Sequence, residues 1–319
     1  MIQKWYEQHS HIIRPEYFFW AATLCSFFFL ISAPNPTVPS TAVAAVGGVT
    51  APKENPFDSV SLSAKAAYVY DVKAGKPLFA KNEDEVLPLA SVTKIMTAAT
   101  ALSFLPETTY ITIDAEAIRA EGNSGLTVGE RWLLRNLLKF TLIESSNDGA
   151  VAVSSSVGGI LATSTQSNEE SRALFVGEMN KLSELIGLSS TRFLNESGLD
   201  LDTERAGAYS TAKETSHMLA YGLEKFPSIF SETRWSELLL AGDREDHEAK
   251  NTNKETDTFP LLIASKTGYT DLAGGNLVIA FDAGFNHPII VSVLGSTIDG
   301  RFTDAEALVW AALAYLQNN

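Results

Sequence analysis

Cysteine occurs once in the 319 residues, as Cys25 inside an apolar run, which excludes an intrachain disulfide and a cysteine-based metal site. Histidine is nearly as scarce. His9, His11, His217, His247 and His287 form neither H-E-x-x-H nor another ligand spacing, so a zinc peptidase is disfavoured and no metal or other cofactor is expected. His247 stands in "GDREDHEAK", which reads as a solvated charged loop. Positive charge is in short supply: 24 Lys and Arg face 38 Asp and Glu. The net charge of −14 argues against a nucleic-acid partner. No G-x-S-x-G elbow is present, so a Ser-His-Asp hydrolase has no support. The pairs Gly47-Gly48, Gly158-Gly159 and Gly274-Gly275 are not followed by G-K-[ST], so none is a phosphate loop. Internal repeats are absent.

With 45% hydrophobic and 19% charged residues, the chain suits one large globular domain, or two smaller ones, plus accessory segments. Tyr17 to Ala33 ("YFFWAATLCSFFFLISA") carries no charge over 17 residues, at the short end of what spans a bilayer. A cleavable signal peptide is the competing reading. An uncleaved transmembrane anchor is favoured, because the only small pair at its end is Ser32-Ala33, followed directly by Pro34. Lys4 and Arg14 precede the run and no Lys or Arg follows until Lys53. That bias puts residues 1–16 inside and the body outside, diluted by Glu7 and Glu16. Residues 34–59, rich in Pro, Ala, Thr, Val and Gly, read as a flexible tether, and 60–319 as the folded body.

"AAYVYDV" and "PLFA" flank "KAGK", a hairpin turning at Gly75. Helices are expected from about Ser91, over Gly129 to Ser145, from Asp148 to Ala162 and from Glu169 to Ile186. Within 154–172, "SSSVGG" and "TSTQSNEES" read as a helix end and a polar surface loop. "PLLIASKT", "GNLVIAFDA" and "PIIVSVLGS" read as an antiparallel meander, and 304–316 as a closing helix. The expected class is α+β, with helices packed on one antiparallel sheet.

Ser-x-x-Lys occurs twice. Ser210 to Lys213 opens a helix whose Thr211 and Glu214 make a capping box, with Lys213 left in solvent. Ser91 to Lys94 resists that treatment. From Val86 to Pro106 Lys94 is the only ionisable side chain, and its sign is wrong for a helix start. One turn apart, Ser91 and Lys94 share a helix face. A partly buried amine loses its charge more readily and can accept a hydroxyl proton, which makes the serine a nucleophile. A lysine snorkelling out of a core helix is the equal alternative for the pair alone. "ESSNDGA" adds Ser145-Ser146-Asn147 between two helices, where Ser146 or Asn147 also suits an N-cap. "SKTGYT" adds Lys266-Thr267-Gly268 at a strand end, where a glycine turn is the plain alternative.

The order Ser-x-x-Lys, Ser-x-Asn, Lys-Thr-Gly is that of penicillin-binding proteins and β-lactamases. The sequence resembles the serine D-alanyl-D-alanine carboxypeptidases among the low-molecular-mass penicillin-binding proteins. "PLASVTKIMTA", "SSNDGAVAV", "FLNESGLD", "YSTAKE", "NTN" at 251–253 and "KTGYTDLAGGNLV" carry the likeness from about Ala64 to the last helix. It implies a β-lactamase/transpeptidase-like fold with a helical subdomain.

It also implies acyl transfer on peptidoglycan stem peptides ending in D-Ala-D-Ala. Ser91 would be the nucleophile, Lys94 its base and Ser145 the proton relay to the leaving amine. Asn147 would hold Lys94 and a substrate amide, while Lys266 and Thr267 would bind the terminal carboxylate. Gly268 would let the substrate lie along the strand edge, and the N–H groups of Ser91 and Tyr269 would form the oxyanion hole. Arg301 is either a further carboxylate ligand or a surface arginine. β-Lactams would acylate Ser91 and be released slowly, because the Glu-x-x-Leu-Asn stretch of class A β-lactamases is missing at Thr191 to Asn195. Ser146, where the family often has glycine, is expected to tune access to the site. No C-terminal β-rich domain or amphipathic anchor is expected after the last helix. The body would work outside a bacterial cytoplasmic membrane. A D,D-endopeptidase cutting cross-links and a catalytically idle penicillin-binding sensor or scaffold remain the alternatives.

Overall fold

Alternate side chains of one strand, Pro288–Ser296, enter two different cores. Ile289, Val291 and Val293 lie with Phe302, Leu308 and Val309, whereas Ile290 and Leu294 join Val92, Ile95 and Met96. A sheet covered on both faces buries consecutive residues, so its strands read as unbroken β-branched runs. The computed structural model describes residues 54–162 and 167–318.

The chain enters the main sheet through the hairpin β1 (Ala66–Asp71) and β2 (Lys76–Lys81), with Gly75 at φ +66° in its turn. It leaves through β3 (Leu87–Pro88) and helix α1 (Lys94–Phe104). The ribbon β4 (Tyr110–Thr112) and β5 (Arg131–Leu133) follows, with helices α2 (Leu134–Ile143), α3 (Asn147–Leu161) and α4 (Asn168–Leu185). β6 (Arg192–Phe193) and β7 (Ala208–Ser210) complete a small sheet of order β3-β7-β6. Helices α5 (Ala212–Lys225) and α6 (Pro227–Phe230) lead to the hairpin β8 (Glu237–Ala241) and β9 (Asp246–Lys250). The chain returns through β10 (Leu262–Thr270), β11 (Gly274–Asp282) and β12 (Pro288–Ser296), then forms α7 (Gly300–Asn318). The main sheet is antiparallel in the order β10-β11-β12-β1-β2, leaving β10 at an edge. One face carries α7; the other carries α1, α5 and the helical region.

Four expectations change. Residues 129–145 are not one helix: Arg131–Leu133 pairs with β4, placing Trp132 opposite Ile111, and the helix starts at Leu134. Helical spacing extended back to Trp132, but Gly129 at φ +79° and the pairing with β4 break the helix there. The helix end expected within 154–172 is that of α3 at Leu161, and α4 starts at Asn168 behind a Ser167–Glu170 capping box, both within a residue of the expected bounds; residues 163–166 of the expected polar loop lie outside the described residues. The closing helix begins at Gly300, a turn earlier than expected, and Asp304 instead accepts from the Ser63 and Ala64 N–H groups. His247 is not solvated: its Nε2 is 2.7 Å from the buried Glu130 carboxylate and its ring lies 4.8 Å from that of Trp132.

The tether ends sooner than position 59. Pro56–Ser59 form one 3-10 turn capped by Asn55, and Phe57 is buried, stacked on Phe79 at 5.2 Å beside Tyr315. The expected anchor at 17–33 lies outside the described residues. Among the described residues no helix is long and apolar enough to cross a membrane. Replacing Phe57 by Ala should lower unfolding stability by about 3 kcal/mol, read by denaturant titration. An unchanged midpoint would return residues 56–59 to the tether.

Candidate active site

Ser91 sits in a single 3-10 turn, Ala90–Thr93, that runs directly into α1. Ala90 before it has φ +47°, a left-handed conformation that a non-glycine residue adopts only when its surroundings hold it. The i, i+3 spacing then does what the sequence implies: Lys94 Nζ lies 2.8 Å from Ser91 Oγ. Lys94 is fully buried and also donates to Asn147 Oδ1 at 2.6 Å and to the Ser197 carbonyl at 2.9 Å. The Asn147 amide cannot turn over, because its Nδ2 donates to the Glu121 carbonyl at 2.6 Å.

This set of partners fixes the proton positions. Asn147 Oδ1 and the Ser197 carbonyl can only accept, so the two hydrogens of a neutral amine go to them. The lone pair is left facing Ser91 Oγ, which can donate. Burial pushes the Lys94 pKa down from 10.5 to about 7, opposed by the negative charge of Glu196. Glu196 is itself buried and held by Arg172 at 2.7 Å, which also binds Glu116 at 3.0 Å.

Ser145, between α2 and α3, has φ +62°. Its Oγ accepts from Lys266 Nζ at 3.0 Å. Lys266 is buried on β10 and its pKa lies well below the ordinary value, through burial and the nearby charges of Lys94 and Arg301. Thr267 Oγ1 is 2.6 Å from Thr252 Oγ1. A Cβ on Gly268 would lie 2.7 Å from the Leu89 carbonyl and 3.2 Å from the Ser91 nitrogen, so only glycine lets β10 approach the Ser91 turn this closely. Tyr269 follows, half-exposed at the strand's outer edge. Arg301, in the first turn of α7, is buried and donates to the Gly268 carbonyl at 2.9 Å, which removes the surface reading.

Two expectations fail here. Ser146 does not tune access: it is buried, caps α3 by accepting from Gly149 N at 2.8 Å, and meets Ser124 Oγ at 2.7 Å. The second Ser-x-x-Lys is not a full capping box. Thr211 accepts from Glu214 N, but the Glu214 carboxylate turns to Ser190 N and Thr191 Oγ1. Ser210 Oγ is 2.6 Å from Thr191 Oγ1, and Lys213 faces Asp84 at 3.4 Å near the surface. Sequence reasoning assigned no role to Ser197 or Thr252, although "FLNESGLD" and "NTN" were among the stretches carrying the likeness. Ser197 acts through its carbonyl, which leaves no side-chain signature.

A family model described as D-alanyl-D-alanine carboxypeptidase matches residues 50–297. The chain belongs to the D-alanyl-D-alanine carboxypeptidase family. It is 33% identical over 217 residues to D-alanyl-D-alanine carboxypeptidase DacF of Bacillus subtilis, covering 65% of this chain and 51% of that one. It is 28% identical over 225 residues to a D-alanyl-D-alanine endopeptidase of Pseudomonas aeruginosa, covering 68% and 67%. The chain thus spans about half the length of the first of these family members and two thirds of the second. Penicillin-binding protein D2 of Listeria monocytogenes, solved in an ampicillin-bound form, superposes with TM-score 0.64 at 27% identity over 79% of this chain and 98% of that one. The architecture is therefore the penicillin-binding, transpeptidase-like α+β fold.

Gly268→Ala should slow acylation of Ser91 by a fluorescent penicillin at least about 100-fold, because the added methyl pushes the strand off the serine turn. An unchanged labelling rate would mean the close approach is not needed.

Proposed function

We propose that the chain is a serine D-alanyl-D-alanine carboxypeptidase that removes the terminal D-Ala from peptidoglycan stem peptides. The observation carrying this reading is the Lys94 amine, buried between two obligate acceptors and the Ser91 hydroxyl. Ser91 Oγ attacks the penultimate carbonyl carbon while its proton passes to Lys94 Nζ. The N–H groups of Ser91 and Tyr269 receive the developing oxyanion. Ser145 gives its hydroxyl hydrogen to the departing amine and takes one from Lys266 Nζ, which donates to its Oγ. D-Ala leaves; water then attacks the acyl carbon, its proton passing back through Ser145 to Lys266, while Lys94 returns the proton it holds to Ser91 Oγ as the shortened peptide is released.

The same reading explains why cations gather without a buried acid between them. Burial lowers the proton affinity of both Lys266 and Arg301, and the Arg301 charge lowers that of Lys266 further, so a substrate carboxylate beside Lys266 and Thr267 compensates the charge gathered there. Asn147 holds Lys94, and its second amide hydrogen serves a substrate carbonyl. β-Lactams carry a matching carboxylate and acyl carbon, so they act as slowly released inhibitors. Residues 17–33 hold the domain on the outer side of a bacterial cytoplasmic membrane, a reading supported by the uncharged run and the Lys4 and Arg14 bias before it.

Ser91→Ala should abolish both D-Ala release and penicillin labelling, whereas retained D-Ala release would place the nucleophile elsewhere. The pH profile tests the base. Lys94 must be uncharged to accept the proton, so acylation should rise about tenfold per pH unit below pH 7 and level off above it. A rate that climbs only near pH 10 would mean an unperturbed lysine. Lys94→Arg, which stays charged throughout, should lower acylation at least about 1,000-fold.

A further inference from the structure

The edge of β10 has a built end. Backbone groups of an edge strand point alternately to the neighbouring strand and outward. Ser265 N does not enter the ladder with β11; it donates to Thr233 Oγ1 at 2.9 Å. Ser265, Thr267 and Tyr269 therefore present their N–H and C=O groups to the outside. The first of these positions is already taken. Thr233 belongs to a 3-10 turn, Ser231–Arg234, lying against the strand, and it is buried. Its carbonyl accepts from Ser265 Oγ at 3.1 Å and from Asn251 Nδ2 at 2.8 Å, and its own hydroxyl donates to the Phe230 carbonyl at 2.7 Å. Asn251 also donates to the Trp235 carbonyl at 2.9 Å, so the turn is pinned on both sides. The neighbouring Thr252 closes over Thr267.

Only Thr267 and Tyr269 are left to pair with an incoming peptide. A substrate that pairs with this edge and puts its scissile carbonyl at the Ser91 and Tyr269 N–H groups runs antiparallel to β10. Its terminal carboxylate then reaches Lys266 and Thr267. Any residue joined to that carboxyl continues towards Ser265, where the edge is occupied.

We propose that Thr233 is a specificity-determining stop, restricting cleavage to peptides whose leaving residue carries a free carboxylate and rejecting linear peptides extended beyond it. This rests on the carboxypeptidase reading above, and it assigns to the Ser231–Arg234 turn a part in substrate choice that the acyl-transfer machinery does not provide. Thr233 acts by occupying the strand edge and touches no reacting atom.

The test compares two synthetic peptides, one ending in D-Ala-D-Ala and one extended by a C-terminal glycine. With wild-type protein kcat/KM for the extended peptide should be at least about 100-fold lower. Thr233→Ala frees the Ser265 N–H and removes the blocking side chain, and should narrow that gap about tenfold or more while penicillin acylation stays unchanged. Thr233→Ser keeps the hydroxyl and should keep the gap. Comparable cleavage of both peptides by wild-type protein overturns the stop, as does a full gap in a folded Thr233→Ala. If Thr233→Ala does not fold, Thr233→Val, which keeps the side-chain shape but no longer accepts from Ser265 N, takes its place, and a full gap in it also overturns the stop. Failure to cleave the free-carboxylate peptide, with Ser91 still labelled by penicillin, would instead count against the carboxypeptidase reading.

Discussion

A lysine amine excluded from water is the constraint around which the site is built. An ammonium buried without an ionised partner costs several kcal/mol, and among the described residues no carboxylate contacts Lys94 to offset it. Glu196, whose negative charge partly opposes the loss of the Lys94 proton, is drawn to Arg172 at 2.7 Å instead of contacting the amine. The arrangement therefore favours the uncharged amine near neutral pH, which is the form that can take a proton from a hydroxyl. Stability and chemistry pull in opposite directions here, as they do wherever a charge-bearing side chain is kept dry for use.

The fold exists to hold four distant segments against that amine. Asn147 is 53 residues from Lys94 in sequence and Ser197 is 103 away. The two-sided sheet supplies the rigid member: with cores on both faces, β10 cannot shift, and Gly268 brings it to the Ser91 turn. Asn276 on β11 ties the parts together, donating to the Pro88 carbonyl and accepting from Gly295 N. Arg301 joins the far helix to the same strand through the Gly268 carbonyl. Misplacing any one of these by an ångström would separate the proposed nucleophile, base and oxyanion donors.

Much of this was legible in the sequence, and the pattern of success has a physical reason. Ser91 and Lys94 are one helical turn apart, so their meeting depends only on local geometry. The meander was readable because strands buried on both faces leave unbroken apolar runs, as in "GGNLVIAFD". What was not legible depends on tertiary context or on the backbone. The Ser197 carbonyl has no side-chain signal. Trp132 fits a helix face and a strand equally well until β4 is present to pair with it. His247 stands among six charged neighbours that are exposed while it turns inward to Glu130. Phe57 follows a Pro-rich stretch and gives no sign of the aromatic pocket formed by Phe79 and Tyr315.

The most direct measurement is a titration of Lys94 itself, by NMR of protein labelled at the lysine Cε carbon and assigned with Lys94→Arg. The account predicts a midpoint near pH 7 for this one residue. A midpoint at the ordinary value of 10.5 would mean the amine is charged when substrate arrives, and would contradict its part as the base.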